Sequence, residues 1–230
     1  MTEQPPIQPT PVGALRFNID TARLEYFNGS EYVNITIDSP ETNTGGTRAL
    51  RGGGGTPSFS DTIDFFNIDT TGNATDFGNL TNAVVSNGQG FASRTRGFFA
   101  SGYNSGLGGY VNIINFVTIS STGDASDFGD MLAKKQGIGA LSSSTRGIIN
   151  SGSDAGSAVN VIMFVTMSTT GNALDFGDLS TARSYARGVA SQTRGVSIGG
   201  YGPTSDVIDF ITISSQGNAA DFGNISAARG

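Results

Sequence analysis

Two charged side chains recur once in each of four sequence repeats and are the first candidates for chemistry. They are the aspartates Asp76, Asp127, Asp175 and Asp221 and the arginines Arg48, Arg96, Arg146 and Arg194. Acid–base catalysis by carboxylates needs two groups whose surroundings hold their pKa values apart, and four equivalent copies do not provide such a pair. We therefore predict a structural role, in which each aspartate accepts main-chain N–H bonds in its turn or pairs with an arginine that holds adjacent repeats together.

The composition restricts other chemistry. The 230 residues include no Cys and no His, which excludes disulfides, thiolate or imidazole metal ligands, Cys nucleophiles and Ser-His-Asp triads. Asp124, Asp127 and Asp130 superficially resemble a calcium loop, but no repeat has the twelve-residue loop with its terminal Glu. The glycine run 52–55 lacks the Lys and Ser/Thr of a phosphate loop. We expect no catalytic residue, cofactor or metal, with a structural calcium ion as the alternative.

Charge and hydropathy narrow the classes of partner. The net charge is −6 and the 13 basic residues are scattered singly apart from Lys134 and Lys135, which argues against nucleic acid. No stretch approaches 18 consecutive apolar residues, so we expect no membrane insertion. A hydrophobic share of 37%, with 15 Phe and 6 Tyr, predicts a folded chain.

An internal repeat organises most of the chain. Four segments that begin at Ile63, Ile114, Ile162 and Ile208 align without a gap and share the pattern Gly-x-Ala-x-Asp-Phe-Gly. A Thr-Arg motif alternates with them, and its arginines are separated by 48, 50 and 48 residues. The period is therefore near 48 residues.

Each repeat has the pattern of about four short β-strands. Six-residue runs at 63–68, 114–119, 162–167 and 208–213 are rich in β-branched and aromatic residues. Thr-Gly-Asn-like tripeptides follow them and predict tight hairpin turns. Short strands are also predicted at Asp-Phe-Gly and on both sides of Thr-Arg. Four strands in about 48 residues match the strand number and the length of a kelch-like β-propeller blade. A β-solenoid is the alternative.

The ends of the repeats bear on ring closure. The first repeat lacks the strand that precedes Thr-Arg elsewhere, and the last repeat stops soon after Asp221. We expect the C-terminal strand to pair with the first blade, because unpaired strand edges invite aggregation. A truncated longer array is the alternative.

Aromatic and glycine positions repeat as well. We predict that Phe residues fill the space between blades and that the following glycines mark close backbone approach. The phenylalanines and glycines are Phe77, Phe128, Phe176, Phe222, Phe65, Phe116, Phe164, Phe210, Gly78, Gly129, Gly177 and Gly223.

The loops that differ between repeats are the candidate binding residues. Residues 56–61, 103–111, 153–160 and 201–206 join equivalent strands, so we expect them on one rim. Tyr with Gly, Ser and Asn suits adaptable recognition, and loops on a rigid scaffold commonly carry binding sites. The candidates are Tyr103, Asn104, Tyr110, Asp154, Tyr201 and Asp206. The alternative for each residue is an ordinary solvated loop position.

Three further segments precede the repeats at 47–230. Residues 1–12 hold four of the seven prolines and predict an extended arm. Residues 13–37 predict two or three small strands with an Asn28-Gly29 turn, too short to be stable alone. Residues 38–46 are a predicted linker.

Two resemblances follow from these motifs. Leu15-Arg16-Phe17-Asn18, Asp20-Thr21 and residues 24–30 resemble a short module of tail-fibre and other virion proteins of tailed bacteriophages, although that module usually has a Trp near Tyr32. The T-G-N-A-x-D-F-G-x-L and S-x-T-R-G signatures resemble kelch-like repeats in virion proteins of phages, notably those of marine bacteria. Together the two resemblances cover about 215 residues of the chain.

The resemblance implies a function. It implies a virion structural protein, a tail-fibre or adhesin component whose residues 1–37 attach to other virion proteins and whose rim recognises a host surface glycan or protein. The alternative is a purely architectural virion protein, such as a capsid decoration or a neck or baseplate connector. A glycan-cleaving enzyme has little support without His, Cys or Trp. Proteins of this kind are often homotrimers, and the sequence leaves the oligomeric state, host and receptor open.

Overall fold

The computed structural model describes residues 10–18, 23–35, 47–55, 57–85 and 89–229. The chain divides into two compact units, Met1–Thr42 and Asn43–Gly230. Most of the predicted arm and the whole predicted linker lie outside the described residues. Within the described ranges no helix is long and apolar enough to cross a membrane.

The first unit contains a three-stranded antiparallel sheet of β1 (Leu15–Asn18), β2 (Arg23–Phe27) and β3 (Tyr32–Asn34). Asn28 closes the second hairpin, because its Oδ1 accepts the N–H groups of Ser30 and Glu31 at 2.9 Å each. Such an Asn-Gly turn favours a hairpin between two short strands.

A buried carboxylate stabilises this small sheet. Glu25 is 6% exposed and accepts hydrogen bonds from Arg16 Nε at 2.8 Å and Asn18 Nδ2 at 2.9 Å. The Arg16 guanidinium also lies 3.7 Å from the centre of the Tyr32 ring. The hydrogen bond from Asn18, followed by that from Arg16, lowers the pKa of Glu25.

The described part of the second unit contains four antiparallel sheets of three or four strands, in chain order, and one two-stranded hairpin. Sheet 1 contains β4 (Arg48–Gly55), β5 (Phe59–Asn67) and β6 (Thr75–Val84). Sheet 2 contains β7 (Gly90–Ala92), β8 (Arg96–Asn104), β9 (Gly109–Thr118) and β10 (Ser126–Asp130), with a 3₁₀ turn at Ser105–Leu107. Sheet 3 contains β11 (Gly139–Ser142), β12 (Arg146–Asn150), β15 (Val161–Thr166) and β16 (Leu174–Asp178), with a small hairpin of β13 (Ser153–Asp154) and β14 (Ser157–Ala158). Sheet 4 contains β17 (Arg187–Ala190), β18 (Arg194–Ile198), β19 (Ser205–Thr212) and β20 (Ala220–Arg229). The all-β prediction is confirmed.

The hydrophobic core lies between consecutive sheets rather than within one of them. One cluster joins sheets 1 and 2 and includes Phe77 and Val117. A second joins sheets 2 and 3 and includes Phe98 and Met163, and a third joins sheets 3 and 4 and includes Ile211. Four sheets in sequence are thus held together by burial of apolar side chains at successive interfaces.

Ring closure is not found among the described residues. Within the hydrogen bonds of that part of the chain, none joins sheet 4 to sheet 1. The C-terminal strand β20 instead stays with its own sheet, where Arg229 pairs with Ser205 of β19. Sheet 1 keeps three strands, whereas each of the other sheets has four.

The segments predicted to be tight hairpin turns have a different role. The connection between β9 and β10 spans seven residues, 119–125, and its N–H groups bond to the preceding sheet. Gly123 donates to the Phe77 carbonyl at 2.7 Å, and Ala125 donates to the Asn79 carbonyl at 2.7 Å. The same pairs recur at the next two interfaces. The predicted hairpin is confirmed, since β9 and β10 pair antiparallel, but its predicted tight turn was wrong, because the connection has seven residues and its glycine bonds to a neighbouring sheet.

Candidate functional site

The repeated arginines bridge consecutive sheets through main-chain carbonyls. Arg48, Arg96 and Arg146 donate from Nη1 to carbonyls of the next sheet at 2.8, 2.9 and 2.8 Å. The acceptors are the carbonyls of Ile119, Met167 and Ile213, respectively. Each guanidinium also lies 4.9 Å from the centre of a phenylalanine ring of its own sheet. These rings belong to Phe65, Phe116 and Phe164. The partner of these arginines is a carbonyl, and no carboxylate is involved in these bonds.

The fourth arginine has half of this arrangement. Arg194 lies 4.8 Å from the centre of the Phe210 ring, and among the described residues its guanidinium has no carbonyl acceptor. It is exposed, whereas Arg48, Arg96 and Arg146 are half-buried. Arg194 therefore marks the end of the series of sheets.

The repeated aspartates cap the backbone locally. Oδ1 of Asp76, Asp127 and Asp221 accepts the N–H of the glycine two residues further on, at 3.2, 3.2 and 2.9 Å. These side chains therefore hold the bulge at Asp-Phe-Gly. Asp175 has the equivalent position, and its main-chain carbonyl accepts Gln216 Nε2 at 2.7 Å. No group of three or more Asp or Glu within the described ranges could hold a metal ion.

The glycine after Asp-Phe in the first three repeats lies against the next sheet. A Cβ at Gly78, Gly129 or Gly177 would overlap the carbonyl of a glycine in the neighbouring connection. All three have positive φ, at 147°, 144° and 143°, where L side chains are disfavoured. These contacts show why the repeat retains glycine where the sheets approach most closely.

The unlike loops connect equivalent strands of the four sheets. We call these segments together the loop edge and define it as residues 57–61, 103–111, 153–160 and 201–206. In sheets 1 and 2, Tyr103 of β8 packs on Tyr110 of β9 with ring centres 5.1 Å apart. Phe59 of β5 lies 6.0 Å from Tyr103, so the two neighbouring loops share an aromatic cluster. Phe59 was not among the predicted residues, although its loop was.

Asn104 positions this cluster rather than standing free in solvent. Its Oδ1 accepts the N–H of Gly106 at 2.7 Å and caps the 3₁₀ turn, while its Nδ2 donates to the Ala83 carbonyl at 2.6 Å. The amide thus fixes the loop between β8 and β9 against sheet 1.

The other candidates lie on sheets 3 and 4. Tyr201 is 59% exposed, and its main chain pairs with Ser184. Asp206 is half-buried in β19, and Asp154 is exposed in the β13–β14 hairpin. The two loops meet, because a Cβ at Gly202 would lie 3.1 Å from Ala158 Cβ. The structure therefore brings Tyr103 and Tyr110 together on sheet 2, next to Phe59 of sheet 1, and places Asp154 and Tyr201 in two adjoining loops of sheets 3 and 4.

The charge of the loop edge is acidic. Its four segments contain Asp61, Asp154 and Asp206 and no Lys or Arg. A surface of tyrosine, hydroxyl and amide groups without cations suits an uncharged, hydroxyl-rich ligand better than an anionic one.

A buried ion pair was missed from the sequence. Arg183 Nη2 lies 2.8 Å from Asp209 Oδ2, and both side chains are 0% exposed. Asp209 Oδ2 also accepts the Ser180 N–H at 3.1 Å. The available signal was an aspartate inside the apolar run 208–213, since a charge in a buried strand requires a partner.

The burial of Lys135 was also not predicted from the sequence. Lys135 is 3% exposed, and its Nζ has no hydrogen-bond partner in the described part of the chain. Burial lowers the pKa of Lys135, while the charges of Asp154, Asp175 and Asp178 act in the opposite direction.

A groove of about 390 Å³ lies between sheets 1 and 2. Its lining includes Arg48, Leu50 and Phe91, next to the open edge of β4. These groups provide apolar surface and one cation, the Arg48 guanidinium.

Comparison with known proteins adds no family assignment. A scan against protein-family models and a search of curated proteins both found no match to the chain.

Proposed function

We propose that the chain is a structural and adhesive protein of a tailed-phage particle, located in the virion and acting without catalysis. In this proposal the four sheets are kelch-like blades of one scaffold, and residues 1–37 attach to other virion proteins. The loop edge contacts the host surface. The proposal rests on the motif resemblances together with the arrangement of constant and varied residues.

The separation of constant and varied positions carries the proposal. The residues that recur, such as Arg96, Gly129 and Phe128, are placed at the interfaces between sheets. The residues that differ between repeats, such as Tyr110 and Asp154, belong to the loop edge. A rigid scaffold with varied loops at one edge is a common arrangement for recognition.

We further propose an uncharged glycan as the host ligand. Exposed tyrosine rings supply flat apolar area at low cost in side-chain entropy. The absence of basic residues from the four loop segments disfavours phosphorylated or sulfated polymers.

The experiment is binding of the purified 230-residue chain to host cells and to isolated surface glycans. Tyr201→Ala should weaken binding by about tenfold or more if Tyr201 is a central contact. Leu174→Ala is the matched control, because Leu174 is also 59% exposed and lies on β16 outside the loop edge. Equal binding by both variants and the unmodified chain would refute the role of the loop edge.

The architectural alternative has its own outcome. If antibodies to the chain label the phage particle at the neck, the baseplate or the capsid and the chain binds no host surface, the protein is a connector or decoration. Absence of labelling from purified particles would overturn the virion assignment itself.

A further inference from the structure

The outer sheets expose side chains whose equivalents are buried at the inner interfaces. Phe222 of sheet 4 is 55% exposed, whereas Phe176, at the same repeat position, is 3% exposed. Ile68 after β5 of sheet 1 is 68% exposed, whereas the equivalent Ile213 is 2% exposed. Within the described residues, each outer sheet therefore has one face without a neighbouring sheet. On sheet 4 it is the face that the inner sheets turn to the following sheet, and on sheet 1 it is the face that they turn to the preceding sheet.

The polar groups at these two faces match as well. At the inner interfaces an N–H such as that of Gly217 donates to a carbonyl such as that of Phe176 at 2.8 Å. The equivalent donor on sheet 1 is Gly72, and the equivalent acceptor on sheet 4 is Phe222; neither makes this bond within the described residues. A Cβ at Gly223 would meet no atom within 4 Å, so the space that a neighbouring glycine fills elsewhere is open.

The sizes of the opposed residues are also complementary. Inside the array the glycine after Thr-Arg faces a large side chain, as Gly195 faces Leu141. On the free face of sheet 1 that glycine is replaced by Ala49, and on the free face of sheet 4 the large residue is replaced by Val189, which is 54% exposed. The larger residue on one face is thus matched by a smaller residue on the other.

We propose that copies of this chain associate head to tail, with sheet 4 of one copy packed on sheet 1 of the next. The new interface repeats the three internal ones: Arg194 donates to the Ile68 carbonyl of the next copy, and Gly72 of that copy donates to the Phe222 carbonyl. This inference goes beyond the proposed function and does not depend on it.

A second copy fits these faces better than a different partner. The interface already exists three times within the chain, so a second copy brings the required shape, donors and acceptors. The two faces are different surfaces, which makes the contact heterologous, and heterologous contacts produce rings or filaments.

The test is the molar mass of the 230-residue chain in solution as a function of concentration, measured by sedimentation. We expect the mass to rise above 23.6 kDa with concentration. Phe222→Asp and Ile68→Asp should each abolish the growth of larger species, because each places a charge on one free face. Leu174→Asp is the control and should behave as the unmodified chain, since Leu174 is exposed outside both faces.

Mixing the two blocked variants gives the sharpest result. Phe222→Asp retains an intact sheet 1 face and Ile68→Asp an intact sheet 4 face, so an equimolar mixture should form a dimer of twice the chain mass and nothing larger. A mixture that remains monomeric, or an unmodified chain that stays monomeric at all concentrations, overturns the proposal. Circular dichroism of each variant verifies that the sheets are intact.

Discussion

The arginine of the Thr-Arg motif acts through two contacts, a phenylalanine ring of its own sheet and a carbonyl of the next. Arg146 has both, and Arg194 has the ring alone. The pair therefore separates the contribution of the hydrogen bond between sheets from that of the cation–π contact.

We expect Arg146→Ala to lower the free energy of unfolding by about 1.5–3 kcal/mol more than Arg194→Ala, because a hydrogen bond from a charged donor is lost in one variant alone. Urea denaturation measures the difference. Both variants also carry Phe222→Asp, which prevents a second copy from packing on sheet 4 and supplying Arg194 with a carbonyl acceptor. Equal losses would show that the bond to the Ile213 carbonyl contributes nothing.

Glu25 makes the stability of the N-terminal sheet depend on pH. Its hydrogen bonds from Asn18 and Arg16 lower the pKa in the folded chain. The stabilisation is therefore present above the ordinary pKa of a glutamate and is lost as the pH falls through the lowered folded value. We expect the thermal stability of this sheet, followed by the NMR signals of Tyr26, to fall on acidification. Glu25→Gln should remove that dependence, and an unchanged acid transition in this variant would contradict the assignment.

Residue roles were partly accessible from the sequence. The repeat identified the arginines as structural positions because their spacing followed the period of the repeat. It could not identify the acceptors of their hydrogen bonds. Every residue has a main-chain carbonyl, so the residue type of Ile213 does not mark it as an acceptor. The Arg183–Asp209 pair escaped because its two residues lie 26 positions apart, and the equivalent positions at the preceding interface hold Lys135 and Met163, which cannot form such a pair.

At the scale of elements, a glycine limits how closely two sheets approach. Gly177 and Gly223 occupy the same repeat position with φ of 143° and 136°, but only Gly177 has a neighbouring carbonyl in the way of a Cβ. An alanine at either position therefore has similar backbone strain, but only an alanine at position 177 also overlaps a neighbouring carbonyl.

We expect Gly177→Ala to cost about 1–3 kcal/mol more than Gly223→Ala, which is the usual range for overpacking. Thermal or urea unfolding of the two variants, again with Phe222→Asp, provides the comparison. If the two losses agree, the close contact between β16 and the following connection does not constrain the fold.

The strands themselves were predictable, whereas their connections were not. The run 162–167 combines β-branched and aromatic residues, and the strand predicted there differs from β15 by one residue at each end. Such a pattern is visible in the sequence because it depends only on neighbouring residues. The Gly-Asn connections depend on a bond to a sheet about one repeat away, as Gly171 bonds to Phe128, and local pattern does not reveal it.

At the scale of the whole molecule, the period predicted a series of small antiparallel sheets, which is confirmed, but the predicted pairing of the C-terminal strand with the first blade is not found among the described residues. Closure depends on the curvature accumulated over successive interfaces, and each interface looks the same in the sequence. The candidate binding residues were found because they vary between repeats. Their grouping, including the packing of Phe59 on Tyr103, required coordinates.

Amide hydrogen exchange at the four repeat glycines tests the central claim that the repeat forms open-ended interfaces between sheets. In the unmodified chain, at a concentration low enough for sedimentation to give the monomer mass, Gly123, Gly171 and Gly217 should exchange at least about 100-fold more slowly than Gly72, since their N–H groups bond to the preceding sheet. Equal protection of Gly72 would indicate a closed ring, and rapid exchange at all four glycines would contradict the stacked sheets.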